Sequence, residues 1–391
     1  MNIIVFEDQR IGNLAPFSAF HTSAELLVGA KTLLDRITGM LDNSDQLVLL
    51  VRAQLAEVVK ERFPKCLVNP PEIPSGWWLN GACIWSKSKL KGLDPGILYK
   101  LNDIPVAWNS PRTVTGKVVF ADLVKKTKSF PNELDRIDYL WDAFSLSGPV
   151  MQKECREIPF SMEGTIHSHA FIDGHGYVSI GPNVRINAGV MIEAAKGPVI
   201  IDRDVRLDLG AMIQGPVYIG PHCIVNPGAR LRGNVFLGPN CRVGGELNDV
   251  IMQGYCNKQH DGFLGHSFLS EWVNLGADTT VSNLKNTYGN ISVEFSTGKV
   301  NTERLFLGSL IGDFVRTQIG TLITTGSIIE IGANVMTNGL TKKHIPPFAW
   351  GERERTELYR FLETARLIKS RRGKQLTDAE YELLTRLFNK S

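Results

Sequence analysis

Aliphatic residues recur in strict steps of six through the middle of this chain. Eight consecutive positions keep the step, Ile201, Leu207, Ile213, Ile219, Val225, Leu231, Leu237 and Val243, after an earlier run of Ile180, Ile186 and Ile192. Helices and ordinary strands repeat near 3.6 and 2 residues, so neither explains a step of six. Fixed short periods are typical of solenoids. The pattern predicts a parallel β-helix from about Val178 to Leu340, in which three hexapeptides make one triangular coil and each aliphatic side chain points inwards.

The step of six is interrupted twice. It is lost from Val250 to Trp272 and again from Asn283 to Arg304. We interpret both stretches as loops that leave the coil, because insertions in repeat proteins gather on a functional face.

The residues before the repeats predict an α/β domain over residues 1–105. Ile3–Phe6 and Leu47–Val51 are short apolar runs that suit buried strands, and Ser23–Met40 and Ala53–Phe63 have helical spacing. Strand–helix–strand–helix order implies a parallel sheet. A connecting segment, residues 106–160, is expected to contain a helix over Asp135–Phe144, with Trp141 on its apolar face. The coil domain is then expected over residues 161–345.

Residues 346–391 are predicted to be helical. One candidate helix covers Glu352–Ser370, and a capping box at Thr377 and Glu380 opens a second that reaches Phe388. We expect these helices to cap the open end of the coil. The basic stretch Lys369–Lys374 between them is either a solvated turn or a phosphate-binding segment.

Charge and composition narrow the classes of partner. The 391 residues include 43 basic and 40 acidic side chains, a balance that indicates neither nucleic acid nor a membrane surface as the partner. The chain has no run of 18 apolar residues and no signal-peptide pattern, which predicts a cytoplasmic protein. None of the six cysteines forms a C-x-x-C pair, so the zinc-ribbon pattern is missing.

Three segments near the first interruption carry a family resemblance: Gly245–Asp249, Gln259–His266 and Trp272–Thr280. They resemble the acetyltransferase domain of the bifunctional N-acetylglucosamine-1-phosphate uridyltransferase/glucosamine-1-phosphate acetyltransferase family, and Glu246 to Thr279 aligns without gaps. Over the whole chain the similarity is closer to a mainly bacterial variant group of sugar nucleotidyltransferases in that family. That group shares the segments Ser282–Asn286 and Pro346–Gly351.

The resemblance implies a left-handed coil that assembles as a homotrimer, with each active site between neighbouring subunits and acetyl-CoA as co-substrate. His260 falls on the family's catalytic base, which suits imidazole because a sugar ammonium must lose a proton before it attacks a thioester. Other positions fall on family residues, or their neighbours, that contact the amino-sugar phosphate: Arg230, Glu246, Asn248, Phe263, Asn274 and Asn283. The backbone N–H groups of Gly276 and Ala277 are candidates for stabilising the oxyanion on the CoA side.

Three positions depart from the acetyltransferase pattern. Asn248 stands where the family has a phosphate-binding lysine, Phe263 replaces a tyrosine and His266 replaces an aspartate. Loss of a cation and a phenol implies a different acceptor or a loss of activity.

The N-terminal domain departs further from the family. Its first strand is followed by Glu7–Pro16, which lacks the Gly-rich loop that cradles nucleotide phosphates. The resemblance to the variant group leaves four candidates for contact with a sugar nucleotide: Arg10, Glu25, Asn80 and Gly81. Mg²⁺ is expected only if nucleotidyl transfer is retained. The domain is otherwise a degenerate one kept for assembly.

These observations favour acyl transfer from acyl-CoA to the amine of a hexosamine-1-phosphate or a related amino sugar. The alternatives are sugar-1-phosphate nucleotidyl transfer in the N-terminal domain and a non-catalytic trimeric scaffold that binds a sugar nucleotide. A zinc enzyme is a further alternative, either through His222, His260 and His266 or through a cluster of His167, His169 and His175.

Overall fold

A computed structural model of the protein describes residues 2–42, 44–116, 118–158, 160–174 and 177–391. The chain forms an N-terminal α/β domain, a long parallel β-helix and a C-terminal helical hairpin. No helix among these described residues is long and apolar enough to cross a membrane.

The N-terminal domain is built on a mostly parallel sheet. Its central strand Ile3–Phe6 runs parallel to Leu47–Leu50 and Gly76–Asn80, which confirms the predicted parallel arrangement. In spatial order the seven strands are Thr127–Ser129, Leu98–Leu101, Ile104–Ser110, Gly76–Asn80, Ile3–Phe6, Leu47–Leu50 and Leu67–Val68. The sheet crosses the boundary predicted at residue 105. Its strand Ile104–Ser110, most of which follows that boundary, pairs with two earlier strands, Gly76–Asn80 and Leu98–Leu101.

The predicted helix over Ser23–Met40 is mostly wrong. Helix α1 covers only Leu33–Thr38, and a hairpin of Leu27–Val28 with Lys31–Thr32 precedes it. Gly29 turns that hairpin at a φ of +64°, a conformation that glycine adopts without strain. The helix then begins at Thr32, whose hydroxyl accepts from the Asp35 N–H while the Asp35 carboxylate accepts from the Thr32 N–H.

The other helices of this half lie near their predicted places. Helix α2, Ala56–Arg62, confirms the second predicted helix, and the short α3 covers Phe120–Leu123. The connecting helix α4 begins later than predicted and runs further, over Leu140–Glu154, because Asp142 accepts from the Tyr139 N–H and fixes its start. Short 3₁₀ turns and one further strand pair complete the domain: Gln9–Leu14, Phe17–Ala19, Ser23–Glu25, Ala53–Leu55, Lys87–Leu90, and Glu72–Ile73 with Val114–Thr115.

The repeats fold as a left-handed parallel β-helix, as predicted. Val199 pairs with Val217 and Val217 with Val235, so one coil contains eighteen residues, or three hexapeptides. All the aliphatic positions of the step-of-six series lie buried in one continuous core. Stacked parallel strands place like positions about 4.8 Å apart. The inward residues therefore form columns along the coil axis.

The coil has three faces. The strands of the first face are Thr165–Ile166, Arg185–Ile186, Arg206–Leu207, Ile224–Val225, Arg242–Val243, Asn257–Lys258, Arg316–Thr317, Asn334–Val335 and Ala349–Trp350, the last paired with Glu354–Arg355. Those of the second are Phe171–Asp173, Met191–Glu193, Met212–Gln214, Arg230–Arg232, the first halves of Glu246–Gly254 and Phe263–Glu271, Thr280–Val281 and Leu322–Ile323. Those of the third are Val178–Ile180, Val199–Ile201, Val217–Ile219, Val235–Leu237, the second halves of the two long strands, Ser309–Ile311, Ser327–Ile329 and His344–Ile345.

Only one of the two predicted loops leaves the coil. The stretch from Val250 to Trp272 stays in it, because Val250 pairs with both Val235 and Ser267 in coils of fifteen and seventeen residues. The step of six fails there because the coils are shortened. The second interruption is an insertion, as predicted, and contains the hairpin Ser292–Phe295 with Gly298–Asn301.

The N-terminal domain covers the third face. Outward side chains of that face, among them Phe236, Ile251 and Phe268, are fully buried against Trp141 and Phe144 of helix α4 and the segment before α1. Burial of each such side chain contributes about 1.5–3 kcal/mol. The two domains are therefore joined by an apolar interface.

The C-terminal helices lie along the flank of the coil, so the prediction that they cap its end is wrong. Helix α5, Leu358–Ser370, packs Phe361 against Phe314 and Phe348, and helix α6, Asp378–Lys390, contacts helix α2. The second helix has the predicted Thr377 cap. An amphipathic helix buries its apolar stripe wherever a matching surface exists. Here that surface is the junction between the coil and the N-terminal domain.

A buried charge network crosses this junction. His21 Nε2 lies 2.8 Å from an Asp313 carboxylate oxygen of the coil, and Arg62 donates to Glu25 at 2.9 Å. Burial alone would lower the pKa of His21, but Asp313 and Glu25 raise it to about 10. Burial alone would raise the pKa of Glu25, but Arg62 and His21 lower it to about 2. His21 is therefore a cation that holds the two domains together.

We expect His21→Gln to destabilise the protein by about 3 kcal/mol, because loss of one partner leaves a buried charge unpaired. The folded pKa of about 10 exceeds the ordinary histidine pKa of 6.5, so this stabilisation is complete below pH 6.5 and is lost as the pH rises towards 10. Urea unfolding of both proteins across this range measures the effect. The control Lys60→Gln removes an exposed pair with Glu57 and should change little. Equal stability of His21→Gln and wild type would contradict the assignment.

Candidate active site

Three of the predicted substrate residues form one column on the second face. Arg230 pairs in register with Glu246, and Glu246 with Phe263, so their side chains project from three successive coils. The Glu246 carboxylate accepts from Arg232 at 2.8 Å and lies 3.4 Å from Arg230 Nε. Both arginine side chains are about half exposed. Ion pairs at exposed positions contribute little, so an incoming phosphate can take over these guanidinium groups easily.

His260 lies at the corner beside this column. Its turn, residues 259–262, joins the first-face strand Asn257–Lys258 to the second-face strand Phe263–Glu271. A methyl group on Gly245 would lie 2.9 Å from the His260 carbonyl oxygen, so the turn rests directly on the residue before Glu246. The imidazole is exposed and has no hydrogen bond or ion pair with any described residue. It is free to accept a proton from a bound ligand.

Lys258 holds the His260 turn from inside the coil. It pairs in register with Val243, so it occupies an inward position, and it is 1% exposed. Its ammonium donates to the carbonyls of Gly244 at 3.3 Å, Asp261 at 3.0 Å and His260. Burial lowers the pKa of Lys258 to about 8. A buried lysine whose donors all serve one corner fixes the backbone that carries His260.

Sequence reasoning missed Lys258, although a signal was present. Cys223, Cys241 and Cys256 each stand two residues before an inward position, and the first two inward residues are Val225 and Val243. The third is Lys258. The shortened coil hid this alignment, because it moved the lysine out of the step of six.

Asn274 lies around the corner, on the first face. It bridges Asn257 and Arg316 in the neighbouring coils and accepts from Asn257 Nδ2 at 3.2 Å. The Gly276 N–H, predicted to face an oxyanion, already donates to Thr317 Oγ1 at 2.9 Å. Ala277 is then the remaining candidate of that pair.

Asn248 and Asn283 lie at the far end of the second face, around His266. Asn283 Nδ2 lies 2.9 Å from His266 Nδ1, and His266 Nε2 lies 3.5 Å from an Asp249 carboxylate oxygen. The ring stacks on Phe306, and burial lowers the pKa of His266. With its amide turned to satisfy both groups, Asn248 donates to the Arg232 carbonyl and to Asp249. Both nitrogens of His266 are engaged, so this ring positions its neighbours.

The structure does not bring together the histidines of the zinc alternative. His222 lies 3.6 Å from Asp204, whereas His266 faces Asp249 and the His260 ring has neither partner. His167 and His169 form an exposed ring pair, and His175 lies outside the described residues. Within the described part of the chain, no three His, Cys, Asp or Glu side chains are arranged to hold a metal ion.

The N-terminal domain contains a cleft of about 1290 Å³. It lies at the carboxyl ends of Ile3–Phe6 and Leu47–Leu50, the position at which open parallel sheets bind ligands, and Arg10 lines it. Asn80 is buried behind the cleft and donates to Asp8, and Gly81 packs against Ser23.

Glu25, the remaining predicted nucleotide contact, is not among the residues that line the cleft. It is buried in the junction network, where Arg62 and His21 occupy its carboxylate.

Three carboxylates line the cleft, and two of them, Glu7 and Asp8, are not free to hold Mg²⁺; the third is Asp103. Glu7 accepts from Arg52 through both oxygens, and Asp8 accepts from Arg136 at 2.8 Å. Each acid is thus neutralised by an arginine, whereas Mg²⁺ requires free oxygen ligands.

Comparison with known proteins bears first on the N-terminal half. Residues 3–158 match the family model of sugar nucleotidyl transferases. A curated relative, the bifunctional sugar-1-phosphate nucleotidylyltransferase/acetyltransferase of Sulfurisphaera tokodaii, is 35% identical over 141 residues. The match spans 35% of this chain and about a third (34%) of that relative.

Two solved structures are similar at low identity. An Arabidopsis UDP-N-acetylglucosamine acyltransferase is 13% identical, with a TM-score of 0.19, and the match covers 53% of this chain and 77% of that one. A mutant of GDP-perosamine N-acetyl transferase from Caulobacter crescentus, in complex with CoA and GDP-perosamine, is also 13% identical, with a TM-score of 0.16 and coverage of 80% and 95%.

We expect Lys258→Met to loosen the His260 turn while the coil stays folded. Methionine fits an apolar interior, but carbonyls of the turn lose their donor, at about 1–3 kcal/mol for each group left unsatisfied. Amide hydrogen exchange at Glu246, whose N–H donates to the Gly262 carbonyl of this turn at 3.2 Å, should accelerate at least about tenfold, the equivalent of about 1.4 kcal/mol. The control Lys285→Met removes a partly exposed lysine that contacts the Asn290 carbonyl, and it should leave this turn unchanged. Unaltered exchange in Lys258→Met would show that the lysine does not support the turn.

Proposed function

We propose that the coil transfers the acyl group of an acyl-CoA, with acetyl-CoA as the donor, to the amine of a hexosamine-1-phosphate or a related amino sugar. One observation carries this proposal. The exposed His260 ring, which has no hydrogen bond or ion pair with any described residue, lies directly beside the Arg230–Glu246–Phe263 column, on a turn whose backbone Lys258 holds. A general base, a phosphate-binding cation and a carboxylate for the amino sugar thus adjoin one another. The Sulfurisphaera tokodaii relative, whose name includes an acetyltransferase, supports the proposal.

The reaction uses these groups in sequence. His260 removes a proton from the sugar ammonium, and the free amine attacks the thioester carbonyl carbon. The new C–N bond gives a tetrahedral oxyanion, towards which the Ala277 N–H is the candidate donor. The attacking nitrogen releases its remaining extra proton to solvent. When the C–S bond breaks, the CoA sulfur leaves as a thiolate and takes up the proton held by the imidazolium. The products are the N-acyl sugar and free CoA.

The acceptor site differs from that of the family. Asn248 supplies no cation, so the cations available to bind the sugar phosphate are Arg230 and Arg232. In this structure both donate to the Glu246 carboxylate. A guanidinium binds phosphate through two parallel hydrogen bonds. Phe263 gives the sugar ring an apolar wall where a tyrosine would give a hydroxyl. The proposed acceptor is therefore an amino sugar that makes one polar contact fewer with this site than it would make if residue 263 were a tyrosine.

We further propose that the second face packs against other copies of the chain in a homotrimer. Phe171, Met191 and Met212 form the same outward column before Arg230, and they are 60%, 51% and 40% exposed. A row of exposed apolar side chains on a flat sheet favours association. The column leads directly into the proposed acceptor site, which would lie between subunits. Because both co-substrates are metabolites of the cell interior, we assign the protein to the cytoplasm.

A second candidate function is sugar-1-phosphate nucleotidyl transfer in the N-terminal cleft. The family match to residues 3–158 and the Arg10-lined cleft favour it. The missing Gly-rich loop and the neutralised carboxylates Glu7 and Asp8 weaken it. If the cleft only binds a sugar nucleotide, the domain serves as part of a trimeric scaffold.

The decisive experiment measures thiol release from acetyl-CoA with glucosamine-1-phosphate as the acceptor. We expect His260→Ala to lower kcat by about 10²–10⁴-fold, the usual contribution of a general base. His222→Ala is the matched control, because His222 is another exposed corner histidine of the coil and should leave the rate unchanged.

Two results would overturn acyl transfer at this site. One is the absence of acceptor-dependent thiol release, and the other is equal rates for wild type and His260→Ala. Pyrophosphate release from a nucleoside triphosphate and a sugar-1-phosphate, unaffected by His260→Ala, would place the chemistry in the N-terminal cleft.

The trimer is tested by light scattering after size-exclusion chromatography. Wild type should have a mass of about 130 kDa, three times the 43.3 kDa chain, and Met191→Glu should be smaller because a carboxylate would be buried in the interface. Tyr359→Glu, at an exposed position on helix α5, is the control and should remain trimeric. A monomeric wild-type protein would refute this assembly.

A further inference from the structure

Arginines cluster on the first face beside the proposed site. Arg242, Asn257, Asn274 and Arg316 occupy one outward column in four successive coils. A fifth residue, Arg372 from the turn between the C-terminal helices, reaches this column and donates to Asn257 Oδ1 at 2.6 Å. Three guanidinium groups therefore surround two asparagine side chains.

These guanidinium groups have no acidic partner in the part of the chain that the structure describes. Within the described residues, no carboxylate lies within ion-pair distance of Arg242, Arg316 or Arg372, although most other arginines of the coil have one. Burial lowers the pKa of both Arg316 and Arg372, and Arg242 lowers that of Arg372 further. Arg316 Nε is buried without a hydrogen-bond partner. The cluster is thus desolvated and self-repelling, which an anionic ligand would relieve.

The position of Arg372 decides between the two interpretations of the basic stretch Lys369–Lys374. Lys369 is buried, contacts Glu380 and lies 5.2 Å from the centre of the Trp272 ring, so it serves to join the helices to the coil. Arg372 points the other way, onto the first face. Lys369 is therefore structural, whereas Arg372 is placed to meet a ligand.

We propose that Arg242, Arg316 and Arg372 form a binding site for the phosphate groups of a nucleotide-type ligand. This choice of ligand rests on the proposed function, in which either acyl-CoA or a nucleoside diphosphate sugar supplies a diphosphate. Guanidinium forks match phosphate oxygens bidentately. Arg242 and Arg316 stand three strand spacings apart, about 14 Å, so the column can hold more than one phosphate group.

The location gives this site a role in the reaction. The first face meets the second at the turn that carries His260, and Asn274 lies in the middle of the arginine column. A ligand whose phosphates lie on the column can therefore extend its other end around the corner to His260 and Glu246. The C-terminal hairpin contributes Arg372 to the site.

Isothermal titration calorimetry with coenzyme A and, separately, UDP-N-acetylglucosamine tests the site without turnover. We expect Arg242→Gln and Arg372→Gln each to weaken binding of one of these ligands at least about tenfold, the loss of one charge-assisted contact. The Arg242 side chain has no hydrogen bond or ion pair with any described residue, so its replacement should not disturb the fold. Arg185→Gln, an exposed arginine at the start of the same face, is the control and should bind as wild type does.

A loss confined to coenzyme A identifies the acyl donor as the ligand, and a loss confined to UDP-N-acetylglucosamine identifies the sugar nucleotide. Affinities within twofold of wild type for both variants, an equal loss in Arg185→Gln, or no binding of either ligand to wild type would overturn the site. The measurement needs no acyl transfer. An arginine-dependent affinity without thiol release would uphold the phosphate site and refute the proposed reaction. Thiol release that does not depend on these arginines would uphold the reaction and refute the phosphate site.

Discussion

The stacking of inward aliphatic side chains in register is the constraint on which the rest of this structure depends. Each coil repeats the position of the one below, so a residue's place in the hexapeptide determines both its face and its direction. Residues distant in sequence, such as Arg230, Glu246 and Phe263, thereby become neighbours. The coil itself supplies rigid columns of outward side chains, and the turn that carries His260 stands beside them.

The same regularity makes departures from it informative. An inward position should hold an apolar group, since a buried ammonium is unfavourable without partners. Lys258 breaks this rule, and three backbone carbonyls at one corner compensate for it. Burial of the Lys258 ammonium thus lowers the stability of the core locally, while its hydrogen bonds fix the turn that carries His260. Departures from a folding rule are expected where function requires them.

The repeats allowed the sequence to predict the coil, its eighteen-residue turns and its buried positions, because periodicity reports directly on which side chains face inwards. Regions without a period were predicted less well. Ser23–Met40 has helical spacing, but Gly29 and the Thr32 cap break it into a hairpin and a short helix. The C-terminal helices were identified, yet their position was not, since an apolar stripe does not specify the surface that it covers.

The candidate site shows the same division between local pattern and spatial arrangement. Local motifs identified His260 and Asn274, and the coil places them on either side of one corner. They could not show that Glu25 lies in a buried charge network, or that Gly276 donates to Thr317, because both facts depend on partners that are distant in the sequence.

The three faces of the coil have separate roles, and this division argues for a site at the corner. The third face is buried by the N-terminal domain, which removes it from contact with ligands. The second carries exposed apolar side chains and then the acidic and basic groups suited to an amino-sugar phosphate. The first carries guanidinium groups beside the C-terminal hairpin that have no carboxylate partner among the described residues. A two-substrate reaction needs two binding surfaces that meet at one base, and the first and second faces meet at the turn of His260.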